Sequence, residues 1–308
     1  MRGSSRYTAA VTSAPRLKIA WDMETSDPDD FMTLLLLLGH PRVDLRSVTI
    51  TPGSPAQVGL VRWALRTLGR DIPVGAHDLG HPKPCVSQWH YNAYGEVAPS
   101  RDAEPGHEVL LRTLDADTIL VTGAPLKNLG DALRRVDAGQ LPFTLGQLVI
   151  QGGFAGDGVV PPEKQLEKFR GRSTCPTFNL NGDPKSALLA LAHPGIRARR
   201  LVSKNVCHGV VYDAALHARM TAVKDRSPAL ALIWHGMERY LDGRPGGKIF
   251  HDPLAACCAI DPTIATWAEV EVYRACGEWG SRLSPGTGTR IIVDLDRERF
   301  VDVLLATA

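Results

Sequence analysis

The chain is 308 residues long, 44% hydrophobic and 22% charged, with a formal net charge of +2. That length supports a well-buried core in one large α/β domain, and the near balance of interspersed charges leaves no broad basic face for nucleic acid, so small-molecule partners are expected. No run reaches the roughly 18 consecutive apolar residues of a membrane span. Residues 1–15 lack an apolar signal core and read as a disordered leader, which leaves 16–308 as a single domain. The six cysteines show no C-x-x-C pair and no framework spacing, so a reducing cytoplasm is expected.

In chain order, the apolar run 17–21 reads as a strand and the run 31–38 as a helix. Between them stand five carboxylates within nine residues, Asp22, Glu24, Asp27, Asp29 and Asp30. Asp27 as N-cap, Pro28 at the first helical position and acids in the first turn make a good helix start. Capping leaves Asp22 and Glu24, on the strand end, unexplained. Like charges on a tight turn repel unless a cation lies among them, and clustered acidic oxygens are what Ca²⁺ or Mg²⁺ requires. Further strands are expected at 45–50, 118–122, 145–151 and 200–202, with helices at 55–68, 106–114, 128–136 and 184–192. This alternation predicts an α/β fold, an open, mostly parallel sheet with helices on both faces. The strands then end on one edge, which gathers residues 22–30, 51–54, 122–125 and 151–153 in a single crevice. The last third breaks the alternation, with helices at 227–241 and 251–260 and late strands at 268–273 and 289–293, and reads as a C-terminal helical cap that completes the site.

Five stretches, in this order, resemble the inosine-uridine preferring nucleoside hydrolases. They are the acidic turn ending in Asp29-Asp30, Thr122-Gly123-Ala124-Pro125-Leu126-Lys127-Asn128, Gln151-Gly152-Gly153, Thr177-Phe178-Asn179-Leu180-Asn181-Gly182-Asp183-Pro184, and His251-Asp252-Pro253-Leu254-Ala255. The resemblance implies a Ca²⁺-dependent hydrolase that cleaves the N-glycosidic bond of a nucleoside, or of a modified nucleoside or nucleotide, to free base and ribose or ribose phosphate. It implies that Asp30, Asp252 and the Gly123 carbonyl hold the metal, with Glu24 a further candidate, and that Asp22 or Glu24 activates the water. Asp29 and Asn179 would hold the ribose 2′- and 3′-hydroxyls, and His251 stands where some members keep the leaving-group acid. Thr177 and Ser54 occupy positions near the 5′-hydroxyl, and Gln151 takes the Met position of the Gly-Gly turn. A homodimer or homotetramer is implied as well.

Side-chain chemistry offers Trp89, His90, Trp234, His235 and Tyr240 to stack on or protonate a departing base. Ordinary packing is the readier account of the two tryptophans, and a solvated or structural role that of the two histidines. The acidic turn is one residue longer than usual in the family, with Glu24 where an Asp is expected. Thr177 replaces a Glu, and the connection 153–177 carries Lys164, Lys168, Arg170 and Arg172, which suits a negative 5′ substituent unless the loop is simply solvated. Two other classes stay open: a haloacid dehalogenase-like phosphatase with Asp22 as nucleophile, and a non-catalytic Ca²⁺-dependent binder of nucleosides or sugars.

Overall fold

The computed structural model describes residues 15–306, so the leader expected at 1–15 lies, apart from Pro15, outside the described residues. Leu17–Met23 lies within an eleven-stranded sheet. By residue range the order is Glu104–Pro105, Val74–Ala76, Val43–Ile50, Leu17–Met23, Ile119–Thr122, Leu145–Gln151, Ile196–Val202, Thr289–Leu295, Ala265–Ala275, Glu278–Leu283 and Thr174–Cys175. The first eight run parallel, and the last three are each antiparallel to the preceding neighbour. Central strands such as Ile119–Thr122 are apolar and buried along most of their length because helices cover both faces of a parallel sheet. The late strands therefore extend the sheet itself. The helical part of the expected cap, Pro228–Gly243 and His251–Ile260, packs on the helix Pro28–Gly39.

Chain direction decides where a site can form. From Leu17–Met23 the chain builds outward through Val43–Ile50 to Val74–Ala76, then returns to the opposite side with Ile119–Thr122 and Leu145–Gln151. This reversal makes the carboxyl ends of Leu17–Met23 and Ile119–Thr122 the switch point where open α/β sheets bind ligands. Asp22 lies there in register with Thr49 on one side and Thr122 on the other. The helix Pro28–Gly39 starts at the same edge and is buried nearly all round, as its run of five leucines requires. Among the described residues no helix is long and apolar enough to cross a membrane.

Candidate active site

A cavity of about 330 Å³ opens at this edge, lined by Glu24, Ser26, Asp27, Asp29, Asp30, Gly123, Gln151, Phe178, Asn179, His251 and Asp252. Residues from both ends of the chain meet because Asp29 bridges two helices. It stands in the first turn of Pro28–Gly39, and its Oδ2 accepts from the backbone N–H groups of His251 (2.9 Å) and Asp252 (3.3 Å), capping His251–Ile260 from outside. One carboxylate thus fixes the entry of the helix that carries His251 and Asp252. Asp30 Oδ1 accepts from the Glu24 N–H at 3.0 Å, which folds the acidic turn back over the helix start. Asp27 has the N-cap position, yet its side chain makes no cap hydrogen bond; it pairs with Lys248 instead.

One oxygen from each of Asp29, Asp30 and Asp252 lies within 4.8 Å of the others, and all three residues are buried. Burial and the Asp252 charge hold the Asp30 carboxyl well above its ordinary range, and burial and the Asp29 charge do the same for Asp252. Burial pushes Glu24 up to about 7, with Asp27 and Asp29 adding to it. The Oδ1 of Asp252 is buried without a hydrogen-bond partner among the described residues. Buried anionic oxygens with spare lone pairs match a hard divalent cation, so the donor set fits a metal held by Asp30, Asp252 and their neighbours. Gly123 belongs to the same wall, where a Cβ would lie 2.6 Å from Asp252 Oδ1 and 2.4 Å from Trp21 Cη2. A glycine is therefore required there, beyond merely being tolerated for its carbonyl.

Lys248 was not legible as a site residue. Its ammonium lies 3.0 Å from Asp29 Oδ1 and 3.1 Å from Asp27 Oδ1, at 5% exposure. Burial works against its charge, but the two carboxylates outweigh that and hold its pKa above the ordinary lysine value. Asn179 is fixed by donating from Nδ2 to the Gln151 carbonyl (2.9 Å) and Gln151 Oε1 (2.8 Å), while its Oδ1 is buried and has no partner among the described residues. Phe178, at 67% exposure, is a further lining residue that motif reading passed over. Burial lowers His251 to about 4, leaving a neutral imidazole at neutral pH, with Nδ1 3.3 Å from Cys207 Sγ.

Several expected site residues are not brought to the cavity. Asp22 is fully buried beneath it, its Oδ1 accepting from Thr49 (2.7 Å) and Asn128 (2.8 Å), and burial pushes it up to about 7. Of the two carboxylates considered for water activation, only Glu24 lines the cavity, and the same burial removes Asp22 as an exposed phosphatase nucleophile. Ser54 is the N-cap of Pro55–Thr67 in a capping box with Gln57, and its hydroxyl also donates to the Pro84 carbonyl. Thr177 is the buried N-cap of Phe178–Gly182, behind the two residues that do line the wall.

Trp234 donates from Nε1 to Thr221 (2.8 Å), stacks on His217 and carries Lys224 over its ring. Tyr240 accepts from Arg244 (2.9 Å) and lines a separate groove with Trp89 and Arg239. Trp89 and His235 bond backbone carbonyls of Gly236 and Ala93, and His90 packs edge-on to Phe31, all structural roles. In the 153–177 connection, Lys164 pairs with Asp294, Arg170 with Glu167 and Arg172 with Glu278, so Lys168, 2.8 Å from His208 Nδ1, is the basic residue of the four that reaches the cavity's flank.

Residues 19–302 match the family model described as inosine-uridine preferring nucleoside hydrolase. The chain belongs to this family. As a nucleoside hydrolase it is an N-ribosyl hydrolase. It is 27% identical over 313 residues to a pyrimidine-specific ribonucleoside hydrolase of Salmonella paratyphi A, covering 90% of this chain and 93% of the relative. Its fold is similar to that of an inosine-uridine preferring nucleoside hydrolase from Bacillus anthracis, with a TM-score of 0.67, 17% identity and coverage of 94% and 98%. A purine-preferring ribonucleoside hydrolase from Gardnerella vaginalis is similar at a TM-score of 0.66 and 18% identity, with coverage of 94% and 97%.

Proposed function

We propose that this nucleoside hydrolase is Ca²⁺-dependent and cleaves unphosphorylated nucleosides to free base and ribose. The observation that carries the reading is the convergence on one cavity of three buried carboxylates with Asn179, whose acceptor oxygens at Asp252 Oδ1 and Asn179 Oδ1 have no partner among the described residues. A cation at Asp30, Asp252 and the Gly123 carbonyl would supply Lewis-acid activation of water.

The remaining chemistry falls to side chains. Glu24, the one of the two candidate carboxylates that lines the cavity, takes the proton from the attacking water. The anionic wall favours the positive charge that develops on the ribosyl ring as the C1′–N bond breaks. Asn179 Oδ1 accepts from a ribose hydroxyl, its orientation fixed by Gln151. Asp29 Oδ2 already accepts two backbone N–H groups, so its Oδ1, which meets Lys248, is the oxygen left to accept from the neighbouring hydroxyl. His251, as a neutral imidazole, donates one N–H to the departing base. Phe178 offers an apolar face at the mouth. Because three of the four loop cations are paired elsewhere, a 5′-phosphate would find little to neutralise it, which favours the nucleoside over the nucleotide. The reading carries with it a homo-oligomer in a reducing cytoplasm, where the free cysteines stay reduced.

A panel of purine and pyrimidine nucleosides, assayed for reducing-sugar release with and without chelator, tests the proposal. Release that chelator stops and Ca²⁺ restores is the expected result. Binding without release would make the protein a nucleoside binder, and phosphate release from phosphate esters would make it a phosphatase.

A further inference from the structure

Beside the acidic wall lies a second cluster of different chemistry. Cys207, fully buried, ends the short helix Lys204–Cys207 that follows Ile196–Val202, and His208 comes next in the chain. Cys207 Sγ is 3.3 Å from His251 Nδ1 and 3.7 Å from Gln151 Nε2, so this sulfur has polar partners where a buried cysteine usually has apolar ones. The His208 and His251 rings lie 4.8 Å apart at 60°. One donor atom from each of Cys207, His208 and His251 lies within 4.8 Å of the others.

A thiol and two imidazoles select differently from carboxylates. They suit Zn²⁺ and softer ions and offer little to Ca²⁺. Tetrahedral zinc with ordinary Zn–S and Zn–N bonds needs a sulfur-to-nitrogen spacing of roughly 3.5 Å. The observed 3.3 Å between Cys207 and His251 is already there. His208 is half-buried, with its ring edge-on to Phe169 and its Nδ1 beside the exposed Lys168, and its donor atom lies within 4.8 Å of the other two.

The surrounding charges permit a cation. Lys204 is tied to the Pro176 carbonyl at 3.0 Å, and Lys248 is spent on Asp27 and Asp29. Asp252 and Asp29 act on the sulfur as negative neighbours and Lys204 as a positive one, while Lys168, Lys204 and Lys248 are all positive neighbours of the imidazoles. Lys168 meets His208 Nδ1 and the Phe169 ring from an exposed position, and a metal on His208 would displace it.

We propose that Cys207, His208 and His251 form a second metal site, selective for Zn²⁺ over Ca²⁺, and that filling it inhibits the hydrolase by pinning the His251 ring through Nδ1 and placing a second divalent charge at the wall of the substrate cavity, where positive charge develops on the ribosyl ring. Binding releases the thiol proton to solvent and leaves a fourth coordination position for water. The inhibitory half rests on the role given to His251 above; the binding half does not.

The test uses the full chain saturated with Ca²⁺ and titrated with Co²⁺ as the spectroscopic stand-in for Zn²⁺. A thiolate-to-cobalt charge-transfer band should grow to one Co²⁺ per chain, survive excess Ca²⁺ and bleach with one equivalent of Zn²⁺. Cys207→Ser should abolish the band, and His208→Gln, at a half-buried position that tolerates the change, should weaken Co²⁺ binding about tenfold or more. No thiolate band in the wild type, or the same band in Cys207→Ser, would overturn the site. One equivalent of Zn²⁺ should also stop base release by the wild type and spare His208→Gln at that concentration. A full band with undiminished turnover would overturn the inhibitory half. A protein inactive on every nucleoside would still give or withhold the band, so failure of the activity reading and failure of the metal site are separable.

Discussion

Replacing Lys248 with Met should destabilise the metal-free protein far more than the Ca²⁺-bound one. The ammonium is 3.0 Å from Asp29, whose side chain is 1% exposed, and 3.1 Å from Asp27, whose side chain is 47% exposed. Screening by water makes the Asp27 contact worth little. The Asp29 contact is a buried pair; at an effective dielectric near 20 its gross attraction is about 5 kcal/mol, most of which offsets the burial of both charges. Removing one partner leaves the other charge uncompensated, at a cost of about 3–5 kcal/mol. Asp29 then stands beside Asp30 and Asp252 with the backbone N–H groups of His251 and Asp252 as its remaining recorded partners.

A divalent cation bound among these carboxylates replaces the missing charge. The variant should therefore lose about 3 kcal/mol in chelator, lose clearly less in saturating Ca²⁺, and bind Ca²⁺ more tightly than the wild type. Urea unfolding of both proteins in chelator and in Ca²⁺, with calorimetric Ca²⁺ titration, measures all three quantities. Equal losses under the two conditions, or weaker Ca²⁺ binding by the variant, would refute the view that Lys248 is a counter-cation of the acidic wall.

Asp30→Asn and Asp252→Asn should each abolish base release and Ca²⁺ binding while the circular dichroism spectrum stays native; wild-type rates in either would reduce these residues to helix-start acids. Gly123→Ala places a methyl against Trp21 and Asp252, so a loss of about 1–3 kcal/mol in stability together with weaker Ca²⁺ binding is expected, and an unchanged affinity would show that this wall yields freely. His40 supplies one share of the pH dependence, beside His90 and His251, which burial likewise lowers to about 4. Burial lowers it to about 4, so between the unfolded value near 6.5 and that point the unfolded chain binds the extra proton, and stability falls as pH drops through this window by up to about 1.4 kcal/mol per unit. His40→Asn, which keeps an acceptor for the Arg42 N–H, should flatten the slope measured in saturating Ca²⁺ from pH 6.5 to 5; an identical slope would mean that His40 is solvated.

The parts of the site that were legible in the sequence are those that end a parallel strand or begin a helix. Glu24, Gly123 and Gln151 follow apolar runs, and Asp29, Asp30, Asn179, His251 and Asp252 open helices, so one rule about sheet edges gathers them. Lys248 escaped because it stands in a two-residue strand after a Gly/Pro loop and meets partners more than two hundred positions away. Cys207 and His208 escaped for a similar reason, lying at the end of and just after a four-residue helix with no periodicity. Trp234 and Tyr240 were misplaced because an aromatic side chain announces burial but not which neighbour buries it. Ser54 was readable otherwise: Ser54-Pro55-Ala56-Gln57 has the capping-box spacing, and that local demand took the serine.

In the proposed mechanism one Ca²⁺ on the acidic wall makes this chain active as a nucleoside hydrolase. The most direct measurement is release of free base from a cleaved nucleoside while metal-stripped protein is titrated with Ca²⁺. Turnover should rise from nothing to a plateau at one bound Ca²⁺ per chain, and Asp252→Asn should stay flat throughout. Full turnover by the stripped protein in chelator, or equal activity in the Asp252 variant, would contradict it.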